Sequence, residues 1–545
     1  MNKKTSIKHL VIALIFSLIV AFTLFIYEPI VMYSGNIDEF WFDFSTLISA
    51  MILPFLISLI LMVAFCVIVF FATRKRPVIF YILEIISFAG FIYFYIHGNF
   101  LAGILPSLYG DAIDWWGESM IIGHIVSAVS LIIIVALVWF GVKKFSAANT
   151  AKYAFYTVVA FSVMMLVSFF ATMTTTGIFV DKEIQPVATV KNLNKISTKE
   201  NFYILLVDCT DSGVFNQYVT DKYEDDFQDF TYFADAASGY SSTRNSIPLI
   251  FSGKFYKNQI EFNAFSTEAL DNSKTFAELK KENYNMNFYN DDFVWNSKKS
   301  MDFSNLSNNI SNYSEKGFLK QVAKYIMYKY LPFALKPLSK IESMDFASVI
   351  RTDNVEDLYK WKNMFYYNNI LSKEPEMTND KLFQYVHLEG SHSPYDTDEE
   401  LNAIDDGEGT YEQKIGASAK IASLAIRRLK DAGAYDNSVI VIMADHGWRT
   451  HVPVLYIKGI NEKNDKMQIS DKQVSWVDLD GAFVELIDGA SADDAFVGIP
   501  TEGRTRYFYT DFYYEKKPIK EFVNYGGKSY DSNAWQKTET EYPLP

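Results

Sequence analysis

Cysteine is almost absent from this chain, since only Cys66 and Cys209 occur in 545 residues. Cys66 lies in an apolar run and Cys209 in the polar part of the chain, so we expect no disulfide between them. A large domain without disulfides has to be held together by its hydrophobic core. Basic residues are also in the minority, and the formal net charge is −14. Nucleic-acid binding needs a basic surface, so this charge argues against it.

A signal-peptide cleavage site is missing too. Lys3, Lys4 and Lys8 precede the first apolar run as they would in a secretory signal, but no small-residue site follows it. Four further apolar runs come after, so we interpret the first as a membrane anchor. Each run is near the ~20 residues that cross ~30 Å of hydrocarbon. The runs fall at about 9–27, 45–72, 78–97, 121–141 and 153–173.

The loops between these runs differ in charge. Basic residues lie at the N-terminus, at 74–76 and at 143–152, whereas the loops at 28–43 and 111–118 hold acidic residues and no Lys or Arg. Excess Lys and Arg marks the cytoplasmic side of a membrane. We therefore expect an integral protein of the cell membrane with a cytoplasmic N-terminus. Everything after about residue 175 is then extracellular or periplasmic.

The acidic remainder of the chain has a different pattern. Short apolar runs predict strands at 202–207, 384–388, 438–443 and 452–457. Helical periodicity appears at 415–432 and 474–487, so we expect a parallel or mixed sheet covered by helices. Aromatic runs at 506–514 and 522–525 predict antiparallel strands at one edge. The predicted organisation is a five-span transmembrane domain at 1–175, a linker at 176–200, a catalytic domain at 201–502 and a C-terminal β subdomain at 503–545.

One segment of the acidic domain, 317–340, is basic, aromatic and amphipathic. Interfacial membrane helices have this composition. The alternative is a helix that packs on the core of its own domain with its lysines outward. The sequence leaves both interpretations open.

Candidate metal ligands stand directly after the predicted strands. Asp208 closes the run at 202–207, and Asp445 with His446 follows the run at 438–443. An aspartate at one strand end is more often a helix cap, but loops at the carboxyl ends of parallel strands converge on one crevice. Two carboxylates, an imidazole and a hydroxyl from 241–246 suit one divalent ion, Mn²⁺ or Zn²⁺. Such an ion would lower the pKa of a hydroxyl and stabilise charge on a phosphoryl or sulfuryl oxygen.

With these motifs the chain resembles the alkaline phosphatase/sulfatase superfamily, in particular its membrane-bound lipoteichoic acid synthases, phosphoglycerol transferases and phosphoethanolamine transferases. The resemblance covers the whole chain as architecture and about 200–490 as motifs. It implies a multi-pass α-helical membrane domain of five spans, followed by an extracellular sulfatase-like α/β domain with a mainly parallel central sheet and a small C-terminal antiparallel sheet. Asp208 stands at the first acidic metal ligand, which is usually Glu in the transferases and Asp in sulfatases. Asp445 and His446 match the family's Asp-His metal pair.

The resemblance also implies a nucleophile. Thr243 is followed by a serine at +3, a hydroxyl residue at +9 and a glycine at +10, which is the family's spacing. Thr243 is therefore the implied nucleophile and fourth metal ligand, with Ser241 and Ser242 as alternatives. A threonine cannot be converted to formylglycine, the aldehyde that sulfate-ester cleavage uses. Sulfatase activity is therefore not expected.

Histidines and arginines nearby are implied substrate contacts. His387 and His392 fit the His-x-x-Gly-Ser-His-x-Pro pattern of phosphoethanolamine transferases, where they lie at the mouth of the site near substrate phosphate or a second metal. His451 precedes a Pro-containing strand, as a basic residue often does in the family, but after a shorter loop. Arg244 and Arg449 could clamp a phosphate, although an exposed arginine is usually only solvated.

Together these features predict a metal-dependent transferase. It would move a phosphoglycerol or phosphoethanolamine group from a membrane phospholipid to a cell-envelope glycan or lipid through a Thr243-linked intermediate. The lack of disulfides favours the lipoteichoic acid synthases and the histidine pattern favours the phosphoethanolamine transferases, so the headgroup stays open. One alternative is a phosphodiesterase or phosphatase with water as the acceptor. The other is a catalytically idle lipid-binding or regulatory protein, which would have no need for the four ligand residues.

Overall fold

The computed structural model describes residues 7–35, 37, 40, 42–105, 113–179, 186–290, 295, 297–307, 315–341, 358–405, 407–450, 452–510 and 517–544. The chain divides into two compact units. One comprises Met1–Ile184 and Ser311–Asp353, and the other comprises Gln185–Ile310 and Asn354–Pro545. This division differs from the domain boundaries predicted from the sequence. Residues 311–353 lie within the predicted catalytic domain at 201–502 but group with the first unit.

Helices make up the first unit and flank the sheet of the second. In chain order they are α1 Ile7–Phe22, α2 Glu28–Gly35, α3 Phe44–Thr73, α4 Pro77–Asn99, α5 Ile121–Phe145, α6 Ala147–Thr175, α7 Ser212–Lys222, α8 Thr243–Ser252, α9 Phe262–Asp271, α10 Lys274–Lys281, α11 Glu315–Tyr330, α12 Asn363–Tyr366, α13 Tyr411–Asp431 and α14 Leu479–Ile487. A π-helical turn at Thr23–Tyr27 joins α1 to α2, and another follows α12 at Tyr367–Leu371. Short 3₁₀ helices lie at Ala102–Ile104, Glu118–Met120, Lys299–Asp302, Phe333–Ser339, Trp476–Asp478, Asp494–Phe496 and Ser532–Ala534.

The strands belong to the second unit. In chain order they are β1 Val187–Ala188, β2 Lys195–Ser197, β3 Asn201–Val207, β4 Thr231–Phe233, β5 Asn285–Tyr289, β6 Leu306–Ser307, β7 Glu376–Thr378, β8 Leu382–Leu388, β9 Ser438–Met443, β10 Leu455–Lys458, β11 Gln468–Ser470, β12 Thr505–Thr510, β13 Ile519–Tyr525 and β14 Trp535–Tyr542.

Five helical stretches among the described residues are long and apolar enough to cross a membrane. They are Ile7–Gly35, Phe44–Thr73, Pro77–Asn99, Glu118–Phe145 and Ala147–Thr175. Many of their large apolar side chains, such as Ile60 and Phe65 in α3, are exposed on the surface of the protein. Exposed apolar surface of this extent is what a helix that faces lipid presents. The five predicted spans are thus confirmed as elements of the fold.

The second unit is built on a seven-stranded sheet in the order β11-β4-β10-β9-β3-β8-β5. The central strand β3 pairs in parallel with both β8 and β9, and β5 continues the parallel arrangement beside β8. Among the described strands of this sheet, β10 alone runs antiparallel to both of its neighbours, β9 and β4. Every residue of β3, β8 and β9 is buried, which explains why their sequences are mostly apolar. The prediction of a mainly parallel sheet is confirmed.

Alternate residues of β3 supply the two hydrophobic cores on either face of the sheet. Phe202, Ile204 and Leu206 belong to the core that includes α8, α9, α10 and α14. Tyr203, Leu205 and Val207 belong to the core that includes α7 and α13. The sheet is therefore covered by helices on both faces, and its strand ends are left to form the site.

The second unit also contains two short pairs of strands that the sequence patterns do not predict. In the predicted linker, β1 pairs with β6 and β2 pairs with β7. After the main sheet comes a small antiparallel sheet in the order β12-β13-β14. This sheet confirms the predicted C-terminal antiparallel strands. The end of the predicted run at 506–514 lies outside the described residues.

Candidate active site

Three neighbouring strands bring the candidate ligands to one edge of the sheet. Asp208 directly follows β3, His387 is the last residue but one of β8, and Asp445 lies two residues beyond β9. Because β3 lies between β8 and β9 and all three are parallel, their carboxyl ends are adjacent. His387 therefore contacts Asp208 although 179 positions separate them in sequence. In the same way, Asp445 contacts the backbone of Cys209 across 236 positions.

Asp208 is at the centre of a buried cluster. Its Oδ2 lies 3.2 Å from Thr243 Oγ1, which donates a hydrogen bond, and 3.3 Å from His387 Nε2. Its Oδ1 lies 3.7 Å from His446 Nε2, and that nitrogen is 3.4 Å from Asp445 Oδ2. The four residues that the sequence nominates as metal ligands therefore come together, and His387 joins them.

One oxygen in this cluster is left without a hydrogen bond. Asp445 is fully buried, and its Oδ1 accepts the backbone N–H of Cys209 at 3.1 Å. Its Oδ2 makes no hydrogen bond among the described residues. Buried polar atoms are normally satisfied, and buried carboxylates are normally paired or bound to metal. A divalent cation fits this donor set of two carboxylates, one imidazole and one hydroxyl.

The charges of the cluster shift its pKa values in different directions. Burial raises the pKa of Asp445, and the neighbouring charge of Asp208 raises it further. Burial alone would also raise the pKa of Asp208, but the hydrogen bond and charge of His387, with the other histidines, bring it below the ordinary value. Burial lowers the pKa of His446, whereas Asp445 and Asp208 raise it and prevail. Two carboxylates in one buried site favour a positive partner between them.

Cys209 is a potential ligand that the sequence analysis does not assign. Ligand atoms of Asp208, Cys209 and His446 all lie within 4.8 Å of one another, and the three residues are buried. The backbone of Cys209 has a φ of 57°, in the left-handed region, as the chain turns at the end of β3. Burial and nearby carboxylates raise the pKa of its thiol well above the usual range. The adjacency of Cys209 to Asp208 is the only sequence signal for it.

His387 lies deeper than the resemblance implies. Its side chain is buried between Asp208 and Asn290, whose Oδ1 is 2.9 Å from His387 Nδ1. This contact fixes the ring and leaves Nε2 toward Asp208. His387 is therefore part of the ligand cluster and not of its mouth. Asn290 follows β5, and nothing in the sequence distinguishes it from other polar loop residues.

His392 is half-buried beside the cluster. Its Nδ1 lies 2.7 Å from the carbonyl oxygen of Ser393, so Nδ1 carries the hydrogen and Nε2 stays available. Its ring centroid is 5.6 Å from that of Trp361, and the Trp361 ring is also 6.0 Å from His387. The position suits a proton donor or a substrate contact near the ligands.

The two candidate arginines have other partners than the ligand cluster in the contacts that the structure describes. The guanidinium of Arg449 pairs with Glu412 at the surface and lies over the Tyr411 ring, 4.8 Å from its centroid. The guanidinium of Arg244 lies over Phe262, 3.8 Å from the ring centroid. Their role as phosphate clamps stays a prediction. His451 lies outside the described residues.

The threonine motif is explained by the helix that it begins. Thr243 is the first residue of α8, where the backbone N–H groups of a helix have no intrahelical partners and favour an anion. The helix ends at Gly253, whose φ of 64° is left-handed. A Cβ on that glycine would lie 2.8 Å from the carbonyl oxygen of Val477. The +9 hydroxyl, Ser252, donates to Pro248 O within the helix, so the +9 and +10 positions end the helix and do not reach Asp208.

Second contacts hold the ligand loops in place. Asp211 accepts backbone N–H groups from Trp448, Arg449 and Thr450 at 3.1, 3.0 and 3.1 Å, which shapes the loop after His446. Trp476 Nε1 donates to the carbonyl oxygen of Asp445 at 2.8 Å. These bonds restrict the two ligands that follow β9 to one arrangement.

The loop after β8 is fixed against Asp208 itself. The backbone N–H of Ser391 donates to Asp208 O at 2.8 Å. Gly390 has a φ of 55°, and a Cβ at this position would overlap the backbone N and O of Asp208. The glycine of the His-x-x-Gly-Ser-His motif is therefore required by a close backbone approach to a candidate ligand.

Residues 219–470 match the family model described as Sulfatase. Among curated proteins, none matches the chain significantly. Solved structures that resemble it include Ps i-CgsB in complex with k-i-k-neocarrahexaose, with 13% identity, a TM-score of 0.38 and coverage of 63% of this chain and 86% of that one. The lipoteichoic acid synthase LtaP from Listeria monocytogenes has 12% identity, a TM-score of 0.35 and coverage of 62% and 86%. The C-terminal periplasmic domain of EcEptC from Escherichia coli has 11% identity, a TM-score of 0.31 and coverage of 63% and 93%.

Proposed function

From the sulfatase-family domain at residues 219–470, we propose that this protein is a metal-dependent transferase that moves a phosphoglycerol or phosphoethanolamine group from a membrane phospholipid to a cell-envelope glycan or lipid. The observation that carries the proposal is the position of Thr243. Its Oγ1 lies 3.2 Å from Asp208 Oδ2 at the start of a helix, inside a buried set of candidate metal ligands. A hydroxyl, a carboxylate that accepts its hydrogen bond and the start of a helix that can bind an anion support this assignment.

Asp208, Asp445, His446 and Thr243 would hold one divalent ion, Mn²⁺ or Zn²⁺. When bound, such an ion lowers the pKa of a ligated hydroxyl and neutralises negative charge on a phosphoryl oxygen. The remaining work falls to the side chains. The Asp208 carboxylate accepts a hydrogen bond from the Thr243 hydroxyl and so orients its oxygen. The start of α8 supplies backbone N–H groups for the phosphate.

The transfer takes two displacements at phosphorus. Thr243 Oγ1 forms a bond to the phosphorus of the lipid diester as the bond to the diacylglycerol oxygen breaks. The hydroxyl proton of Thr243 ends on that oxygen, so diacylglycerol leaves as an alcohol. In the second displacement an acceptor hydroxyl attacks the phosphothreonine, and the threonine oxygen regains a proton. His392 is placed to move this proton, because its Nε2 stays available beside the cluster.

The five apolar stretches suit a lipid donor. A phospholipid does not diffuse into water, so an enzyme that consumes it benefits from being fixed to the membrane. The charge pattern of the loops supports an N-terminus in the cytoplasm and a sulfatase-like domain on the other side. The acceptor would then be a component of the cell envelope.

A hydrolase is the second candidate. The same nucleophile with water as acceptor would give a phosphodiesterase or phosphatase, and the cluster of ligands favours both reactions equally. A catalytically idle binding protein is disfavoured, because lipid binding gives no reason for a half-buried hydroxyl beside a buried carboxylate.

The test is intact-mass spectrometry of the full chain purified from cells with their own lipids. We expect a headgroup-phosphate adduct on the wild type, and its mass identifies the transferred group. Thr243→Ala should abolish the adduct, and Ser241→Ala, which removes an exposed neighbouring hydroxyl, should keep it. Metal content is measured on the same samples. An adduct that persists in Thr243→Ala would refute the assigned nucleophile, and the lack of both metal and adduct would refute the enzyme.

If metal is bound without an adduct, incubation with phospholipid separates the two enzymes. Release of diacylglycerol that depends on an added glycan acceptor supports the transferase. Release at the same rate without acceptor supports the hydrolase.

A further inference from the structure

The amphipathic segment at 317–340 packs on the apolar helices. Although it lies between β6 and β7 in sequence, residues 311–353 group with the first unit. Phe318 and Val322 of α11 share a buried cluster with Tyr33, Phe42 and Leu47. The interpretation as a helix on the core of the α/β domain is therefore wrong.

The contacts of this segment fall at one end of the helical bundle. The ring of Phe318 is 5.4 Å from that of Phe42, just before α3. Tyr330 lies against Gly98 at the end of α4, and Phe333 lies against Gly123 near the start of α5. Since successive spans alternate in direction, these positions share one end of the bundle.

A buried ion pair anchors the segment there. Glu28, which lies in α2 within the apolar stretch Ile7–Gly35 and not in the predicted loop, has no exposed surface, and its Oε2 is 2.7 Å from Lys329 Nζ. The hydroxyl of Tyr330 donates a short hydrogen bond to the other carboxylate oxygen of Glu28. A carboxylate in a membrane span is costly unless it is paired. The partners of Glu28 are 301 and 302 residues away in sequence. The first span therefore has a buried carboxylate whose partners come from this segment.

Two glycines of the apolar helices allow aromatic rings of the segment to pack closely. A Cβ on Gly98 would be 2.5 Å from the Tyr330 ring, and a Cβ on Gly123 would overlap the Phe333 ring. After α11 the chain turns back, because buried Lys336 donates from Nζ to the carbonyl oxygens of Tyr328 and Lys329. These bonds satisfy carbonyl groups at the carboxyl end of α11 and hold the 3₁₀ helix Phe333–Ser339 against α11.

Two observations indicate that the segment Phe333–Ser339 lies at the level of the membrane–water boundary. Phe333 contacts Gly123, the third residue of the apolar helix α5, so the turn lies where the apolar run begins. Beside it are two tryptophans, residues that gather at the membrane–water boundary. The Trp115 ring is 5.9 Å from Tyr328, and exposed Trp116 stacks on His124 at 4.7 Å.

The outward face of the segment has the composition of an interfacial element. Leu335 and Leu338 are 46% and 64% exposed, although their neighbours Phe333 and Lys336 are fully buried. Lys316, Lys320 and Lys340 are exposed on the same segment. Exposed leucines with lysines nearby match a bilayer surface, where acyl chains meet anionic headgroups.

We propose that residues 315–341 form a lipid-contacting element, in which phospholipids of the leaflet at this end of the bundle cover Leu335 and Leu338. The lysines of the segment lie toward the phosphate groups. The element is clamped to the spans by Glu28, so it stays in the membrane boundary independently of any turnover at the ligand cluster. The proposal therefore does not depend on the proposed transferase reaction.

The test uses photocrosslinking of the full chain in nanodiscs of phosphatidylethanolamine and phosphatidylglycerol. Leu338→benzoylphenylalanine places a photoreactive group on the proposed face, and Ile132→benzoylphenylalanine, at an exposed position within α5, is the matched control. After illumination, intact mass should show a phospholipid adduct at both positions. Peptide mapping assigns each adduct to its residue.

Labelling at 132 without a lipid adduct at 338 would overturn the proposal. So would a crosslink from 338 to another part of the protein in place of lipid. A second measurement guards against a local disturbance by the bulky label. A spin label is attached to Leu335→Cys in a chain whose native cysteines are removed by Cys66→Ala and Cys209→Ala. Oxygen partitions into lipid and a nickel chelate stays in water. We therefore expect oxygen to broaden the spectrum of the label more than the chelate does. The opposite ranking would contradict lipid cover.

Discussion

The glycine of the His-x-x-Gly-Ser-His motif offers a direct test of how the site is built. Gly390 and Gly433 both have left-handed φ values, 55° and 66°. They differ in their surroundings, since a Cβ on Gly433 meets nothing within 4 Å, whereas one on Gly390 overlaps the backbone of Asp208 and Val207. Gly390→Ala and Gly433→Ala therefore form a matched pair, in which only the first displaces a candidate ligand.

The expected magnitudes follow from that difference. Alanine in the left-handed region costs about 1–2 kcal/mol, which is the whole effect expected for Gly433→Ala. Gly390→Ala adds an overlap with backbone that cannot rotate away, worth about 1–3 kcal/mol more. Because 1 kcal/mol corresponds to about 2–4 °C in a domain of 150–250 residues, we expect Gly390→Ala to lower Tm about twice as much as Gly433→Ala.

The assay has two readouts on the full chain in detergent. Thermal unfolding gives the two Tm shifts, and a metal titration followed by mass spectrometry of bound metal gives the affinity of the cluster. We expect Gly433→Ala to keep the affinity of the wild type and Gly390→Ala to lose at least about tenfold, in line with losses from disturbed ligand support. Equal Tm shifts with equal metal affinity for the two variants would refute the reasoning.

Two further predictions concern ion pairs. Lys329→Met leaves the Glu28 carboxylate buried without its cation and should cost about 3–5 kcal/mol in thermal unfolding. The double variant Glu28→Gln/Lys329→Met should recover most of that loss, and a double variant no more stable than the single one would contradict the pairing. Burial raises the pKa of Asp396, but Lys414, 2.7 Å away, outweighs it and lowers that pKa below the ordinary 3.8. A lowered pKa stabilises the fold above pH 3.8 and ceases to do so below it. Asp396→Asn should therefore lower Tm at pH 7, and its difference from the wild type should shrink as the pH falls below 3.8; a constant difference would show that Lys414 is not the cause.

Much of the fold follows from local pattern. The five apolar helices and the strands β3, β8 and β9 are mostly apolar in sequence. A strand that is buried on both faces has to be apolar on both, and so does most of the surface of a helix that faces lipid. Strands such as β4 and β11 are three residues long and carry no such signal. The antiparallel direction of β10 could not be predicted from the sequence either, because an apolar run predicts a buried strand but not its direction in the sheet.

The candidate site divides in the same way. The sequence supplies Asp208, Asp445 and His446 at strand ends, where their type and position already indicate a cation site. It does not supply Cys209 or Asn290 as neighbours of that site, because neither has a motif of its own. Their places depend on the turn after β3 and on the pairing of β5 with β8.

The sequence by itself determined which parts of the chain are apolar enough to enter a membrane, which runs become buried strands and which donors stand at their ends. These properties are local, since they depend on composition over one helix or one strand. Tertiary structure decided which atoms meet. His387 turns toward Asp208 because β8 pairs with β3, and the segment at 315–341 joins the spans because Glu28 is paired with Lys329 across 301 residues. Contacts of that separation are set by the packing of whole elements, and no window of the sequence contains both partners.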